Sequence, residues 1–228
     1  MILPGQGHYI NPTFITKTSD TTITGYVTDI ITDLSLNWLK TKRNKEKPFL
    51  MMYLHKAPHR PWWPSPEKFI EFSKKEFPIP ETLFDDYKNR GTAAKTAEMN
   101  ILYDLRYSHD SKIRPEILES LNNIKPFVKP YNWGGSDGFT TSFIRANDMQ
   151  KTIYEPVLDS INMWFKQNWK LLSDKEKMEW KYQRYMQDYL GCISSIDDNV
   201  GRVLDYLQDS SLDKNTIVIY TSDQGFYL

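Results

Sequence analysis

The sequence predicts an α/β fold, a sheet flanked by helices, on three observations. Residues 215–220 run through Thr216, Ile217, Val218, Ile219 and Tyr220, β-branched and aromatic almost throughout, as in a strand buried on both faces. A second apolar run from Pro48 to His55 reads as another strand. Before the late strand, Met186, Leu190, Ile193, Ile196, Val200, Val203, Leu204 and Leu207 keep a 3.6-residue beat over more than twenty residues. That helix ends near Gln208, and a short turn through Ser210 and Asp213 leads into the strand. Helix, turn and buried strand in succession form an α/β arrangement.

The other elements follow in chain order. Met1 to Thr24 is rich in Gly, Pro, Thr and Asn and is expected to be an irregular loop. Val27 to Lys42 carries apolar residues at Val27, Ile30, Ile31, Leu34, Trp38 and Leu39, a helical spacing. Lys40, Lys42 and Arg43 give it a basic end that suits the helix dipole. The strand at Pro48 to His55 runs into a loop in which Pro58 and Pro61 forbid regular helix.

One short helical turn is expected near Pro66 to Lys74, then helices over Asn89 to Tyr107, Val157 to Trp169 and Asp174 to Tyr182. Tyr131 to Gly138, with three glycines, reads as a loop. No internal repeat or low-complexity tract interrupts this order.

At 228 residues the chain has the length for one domain with a substantial core. Lys plus Arg (29) balance Asp plus Glu (29), so no strong field argues for nucleic acid or an anionic membrane surface. No apolar run approaches the roughly eighteen residues of a membrane span. The first residues show no signal peptide, having neither a basic start nor an apolar stretch. Cys192 is the single cysteine, so no internal disulfide identifies a compartment. In the regular late helix it reads as a packed residue.

Two segments carry chemistry. Asp223-Gln224-Gly225 lies just past the late strand, where sites form in open α/β sheets. A carboxylate followed by an amide oxygen is the ligand type that a hard cation such as calcium takes, although such turns also occur as ordinary turn chemistry. The loop after the other strand holds His55, Lys56 and His59, so two histidines leave a buried strand end. Lys56 either approaches an anion or is solvated. Asp197 and Asp198 read as a solvated helix face, and Trp62 and Trp63 serve either sugar stacking or the core.

Together, Ala57-Pro58-His59 with Pro61 and Trp62, the Ser195 to Arg202 helix, and Thr216 to Gly225 resemble the type I sulfatases of the alkaline phosphatase superfamily. Pro4 to Gly7, Gly25 to Asp33 and Asp85 to Ala94 look like the polysaccharide-directed branch, which includes bacterial N-acetylglucosamine-6-sulfatases. The resemblance implies an alkaline phosphatase-like central β-sheet sandwiched by helices, incomplete in this chain. It implies a calcium-dependent sulfuric ester hydrolase acting on sulfated glycans or glycosaminoglycans. Asp223 and Gln224 would be calcium ligands, and His59 would contact the scissile sulfate oxygen and protonate the leaving sugar alkoxide. His55 and Lys56 would be substrate contacts. Full-length members of the family are periplasmic, extracellular or lysosomal.

The family's nucleophile is a formylglycine made within Cys-Xaa-Pro/Ala-Xaa-Arg, and no such stretch occurs here. The expectation is therefore that residues 1–228 are a partial sulfatase catalytic domain, inactive alone. Its paired aspartates and Lys-Xaa-His segment are expected upstream, and its sulfate-binding lysine downstream. The alternatives are a phosphoesterase or phosphonate hydrolase of the same superfamily, or a non-catalytic remnant.

Overall fold

The structure, a computed structural model, describes residues 2–3, 6–97, 100–121 and 138–223. Its framework is α8, Asp174–Asp209, 36 residues long. At 1.5 Å per residue that is roughly 54 Å, enough to span the domain. The two helices expected over 174–182 and 186–208 are one, because Arg184 and Tyr185 between them are buried and continue the packed face. Its start is set by a capping box. Ser173 accepts from the Glu176 amide while the Glu176 carboxylate accepts from the Ser173 amide.

Helices α1 (Val27–Asn37) and α2 (Pro66–Phe72) both pack on α8, and α7 (Asp148–Asn168) packs on α2. The late helix expected from Val157 starts earlier, at the Asn147 capping box. Gly191 lets α2 and its approach close onto α8. A Cβ there would sit 2.9 Å from Pro64 Cγ, inside contact distance.

Between these lie short elements: α3 (Thr92–Lys95), α4 (Ile101–Asp104), α5 (Pro115–Ser120) and α6 (Gly138–Phe143). The single helix expected over Asn89 to Tyr107 is thus broken. Tyr87 and Asn89 adopt left-handed backbone, and the Asn100 side chain caps a new helical turn by accepting from the amides of Leu102 and Tyr103. The loop expected at 131–138 lies outside the described residues except for Gly138, which opens α6.

Three short antiparallel strands, β1 (Ile2–Leu3), β2 (Thr13–Ile15) and β3 (Asp20–Thr22), form the described sheet in the order β1-β2-β3. The register pairs Phe14 with Ile2 and with Thr21. The N-terminal segment is therefore partly strand, where composition alone suggested loop.

The two strands predicted from apolar runs are corrected. Neither 48–56 nor 216–222 joins the described sheet, and neither has a ladder partner among the described residues. A strand exists only by virtue of its neighbours, whereas apolar β-branched sequence is local. Residues 49–55 nevertheless keep a period of two, with Leu50, Met52 and Leu54 exposed and Phe49, Met51, Tyr53 and His55 partly packed. Ile217, Ile219 and Tyr220 are likewise exposed, at 90%, 81% and 76%. These are extended chains that bury one side at most.

The core is aromatic. Trp62 and Trp63 are both fully buried. Trp63 lies among Phe139, Phe143 and Tyr154 at ring distances of 5.7–5.9 Å. Both indoles belong to the core, so neither presents a face to a sugar. Cys192 is fully buried in the same cluster, and burial pushes its thiol up to about 12. Asp197 and Asp198 are exposed on α8, Asp198 pairing with Lys68 at 2.9 Å.

Candidate active site

Residues 55–62 follow the 49–55 segment and turn against the core, in which Ala57 and Trp62 are buried. The prolines exclude helix, and the Ala57-Pro58 and Arg60-Pro61 peptides are both cis. The His59 amide donates to the Lys56 carbonyl at 2.9 Å, and the Trp62 indole N–H donates to the Pro58 carbonyl at 2.7 Å. The Tyr9 hydroxyl donates to the His59 carbonyl at 2.8 Å. This leaves the His59 side chain exposed on a loop whose backbone is pinned.

His59 Nδ1 lies 2.5 Å from the Arg60 carbonyl oxygen. A carbonyl only accepts, so Nδ1 carries hydrogen, and Nε2 is the nitrogen left for a substrate. Partial burial and the Lys56 ammonium pull the His59 pKa down, while the Arg60 carbonyl and the Asp223 carboxylate oppose them. Asp223, exposed at the end of the 216–222 segment, is therefore within electrostatic range of His59. The two lie 164 positions apart in the chain.

Gln224 lies outside the described residues. Asp223 supplies the hard oxygen that calcium prefers, but a calcium site takes six to eight oxygens. Among the described residues no group of three His, Cys, Asp or Glu side chains gathers as such a site requires. The donor is right in kind and short in number.

Lys56 is not the solvated lysine its loop position suggested. It is buried to 6% exposure, with its ammonium over the Tyr9 ring at 4.6 Å, and burial lowers its pKa to about 8. Among the described residues no carboxylate pairs with it, so it remains a buried cation next to His59. His55 differs again. Its ring meets Tyr53 edge-on at 4.3 Å, and both ring nitrogens are buried without a partner among the described residues. Burial drops its pKa to about 4, so it is neutral and inward-facing.

The sequence reading missed several members of this region. His8 is half-buried, and its pKa is lowered by burial, then by Arg145 and Lys56. It sits under the positive charge of Lys56 and Arg145, which suits the region to an anion, and Lys56 holds both His8 and His59 toward the neutral form. Arg145 is fixed to the N-terminal segment through the Asn11 carbonyl and Thr13 Oγ1, the latter at 2.9 Å. Beneath the loop, the buried residues Asp110, Lys112 and Asp188 hold Arg60 and Trp62. The only local signal for these was charge within apolar surroundings, which does not distinguish a buried ion from a solvated one.

Against known proteins, the Sulfatase family model matches residues 5–228. The chain is 38% identical to an N-acetylglucosamine-6-O-sulfatase of Bacteroides thetaiotaomicron over 98% of its own length and 37% of that protein's. A sulfatase of Formosa agariphila is 48% identical over 50 residues, 22% of this chain and 10% of that protein. A solved structure, described as a complex with its substrate D-glucosamine-2-N,6-O-disulfate, superposes with a TM-score of 0.73 at 36% identity. It covers 90% of this chain and 38% of the solved one. The chain thus spans less than two-fifths of the length of its long-matching relatives.

Proposed function

Since the chain belongs to the sulfatase family, of α/β alkaline phosphatase-like fold, we propose that it contributes the His59 side of a sulfuric ester hydrolase active site for sulfated aminosugars. The relative of 38% identity is an N-acetylglucosamine-6-O-sulfatase, and the superposed structure holds a 6-O-sulfated glucosamine. The observation that carries the reading is the pinned loop that leaves the His59 imidazole exposed with Nδ1 engaged, under the charge of the buried Lys56 ammonium.

A sugar alkoxide is a poor leaving group at neutral pH. Its departure requires a proton delivered as the S–O bond breaks. His59 is the group we assign to this. With Nδ1–H engaged by the Arg60 carbonyl, protonated Nε2 donates to the bridging oxygen, and the neighbouring Lys56 makes that proton easier to give up. The Lys56 ammonium favours the anionic ester, and the Asp223 carboxylate opposes the lowering of the His59 pKa. Asp223 and Gln224 would hold part of a calcium ion in a protein of the relatives' full length. Calcium, when bound, stabilises negative charge on sulfuryl oxygens. A formylglycine nucleophile would likewise come from outside residues 1–228.

The test is sulfate release from 6-sulfated N-acetylglucosamine by the full-length protein. His59→Ala should lower kcat about 10²- to 10⁴-fold, the range of general-acid contributions. A variant with unchanged kcat removes His59 from the chemistry.

A further inference from the structure

Residues 106–113 form a hydrogen-bonded turn under the His59 loop. The amides of Asp110 and Ser111 donate to the Arg106 carbonyl at 2.9 and 3.1 Å, and the Ile113 amide donates to Tyr107 at 2.9 Å. Within this turn Asp110, Ser111 and Lys112 are at most 1% exposed. Lys112 has φ of 59°, a left-handed conformation that a residue with a Cβ keeps only where its surroundings enforce it.

Two side chains of this buried tripeptide reach the two residues that flank Pro61. The Asp110 carboxylate accepts Arg60 Nε at 2.6 Å on one oxygen and Arg60 Nη2 on the other, a bidentate fork. The same carboxylate accepts the Arg106 amide at 2.6 Å, and Arg60 also donates to the Asp104 carbonyl at 2.9 Å. Lys112 Nζ donates to the Trp62 carbonyl at 2.6 Å and is itself held by Asp188 of α8 at 2.5 Å. Arg184 braces Asp188 on both oxygens at 2.9 Å.

The consequence reaches the His59 ring through one atom. Its Nδ1–H is bound by the Arg60 carbonyl, so the ring's direction follows the Arg60 backbone, and that backbone is tied down by the Arg60 side chain on Asp110. We propose that Asp110, acting through Arg60, is a positioning residue that aims the His59 imidazole at the leaving-group oxygen, with Lys112 fixing the far side of the loop. This rests on the reading of His59 as proton donor. A displacement of about 1 Å in such a group costs on the order of 10²-fold in rate.

Two substrates with one anionic head and different leaving groups test it in the full-length protein. N-acetylglucosamine-6-sulfate needs a proton on its alkoxide, whereas a nitrophenyl sulfate leaves as a stable phenolate and needs none. For Arg60→Ala and Asp110→Asn, kcat on the sugar should fall about 10- to 100-fold with KM within about threefold. On the aryl ester kcat should fall less than about threefold, and Arg60→Lys should recover part of the sugar rate. Arg60 is partly exposed, at 26%, so its truncation is decisive if Asp110→Asn does not fold.

His59→Ala run alongside separates the two claims. Selective loss on the sugar in His59→Ala, but parallel loss on both substrates or no loss in Arg60→Ala, overturns the positioning role and leaves His59 as donor. Loss without selectivity in His59→Ala itself overturns both.

Discussion

Asp188→Asn isolates the ion cluster on which the loop is built. Asp188 is 1% exposed and faces two buried cations, Lys112 at 2.5 Å and Arg184 with both carboxylate oxygens at 2.9 Å. Removing one partner of a buried ion pair typically costs about 3–5 kcal/mol, because an uncompensated charge stays in low dielectric. Here one carboxylate serves two cations, so the upper half of that range is expected. Burial already pulls the Lys112 pKa down and Asp188 opposes it, so loss of Asp188 also favours neutral Lys112, which sets a ceiling on the cost. Lys112→Met should cost less, because Asp188 and the Trp62 carbonyl each lose one donor but Asp188 keeps both Arg184 contacts and stays compensated. Urea unfolding of the full-length variants, followed by tryptophan fluorescence, measures both. A loss below about 1 kcal/mol for Asp188→Asn, or a larger loss for Lys112→Met, would refute the ranking and the network behind it.

Acid should destabilise the fold through His55. Its native pKa of about 4 lies below the ordinary 6.5, so between those values the unfolded chain binds a proton that the native one does not. Stability is then full above about pH 6.5 and is lost as pH falls toward 4. His55→Phe should remove one proton from the pH slope of unfolding; an unchanged slope contradicts the burial of the neutral ring. Trp63→Ala should cost about 3–5 kcal/mol from the aromatic cluster, while Trp63→Phe should cost clearly less. The Trp63 indole N–H has no partner among the described residues, so its removal relieves a buried unpaired donor. Equal losses in the two variants, measured by the same unfolding, would show that the N–H matters more than the ring.

Much of the helical framework was legible in the sequence, since α1, α2 and most of α7 and α8 follow apolar spacing within one segment. Such spacing is a local property, and a helix satisfies its own hydrogen bonds. Strands were legible only as composition. Residues 48–56 and 216–222 have the right side chains, but ladders are made between segments, and the described residues offer them none. The N-terminal strands failed in the opposite sense, because Thr13 to Thr22 pairs through backbone despite loop-like content.

For the site, His59 and Asp223 stood out in the sequence at the ends of two apolar segments, and in the fold the Asp223 carboxylate acts on the His59 pKa. The sequence by itself determined the family, because the histidine between prolines, the Ser195 to Arg202 segment and the Asp-Gln-Gly turn are specific in combination. What only the tertiary structure decided is which charged residues are buried. It turned Lys56 into a desolvated cation, removed Trp62 and Trp63 from the surface, and revealed Asp110, Lys112 and Asp188 under the loop. Burial and the pairing of charges depend on residues 50 to 76 positions apart, and no local pattern encodes that distance.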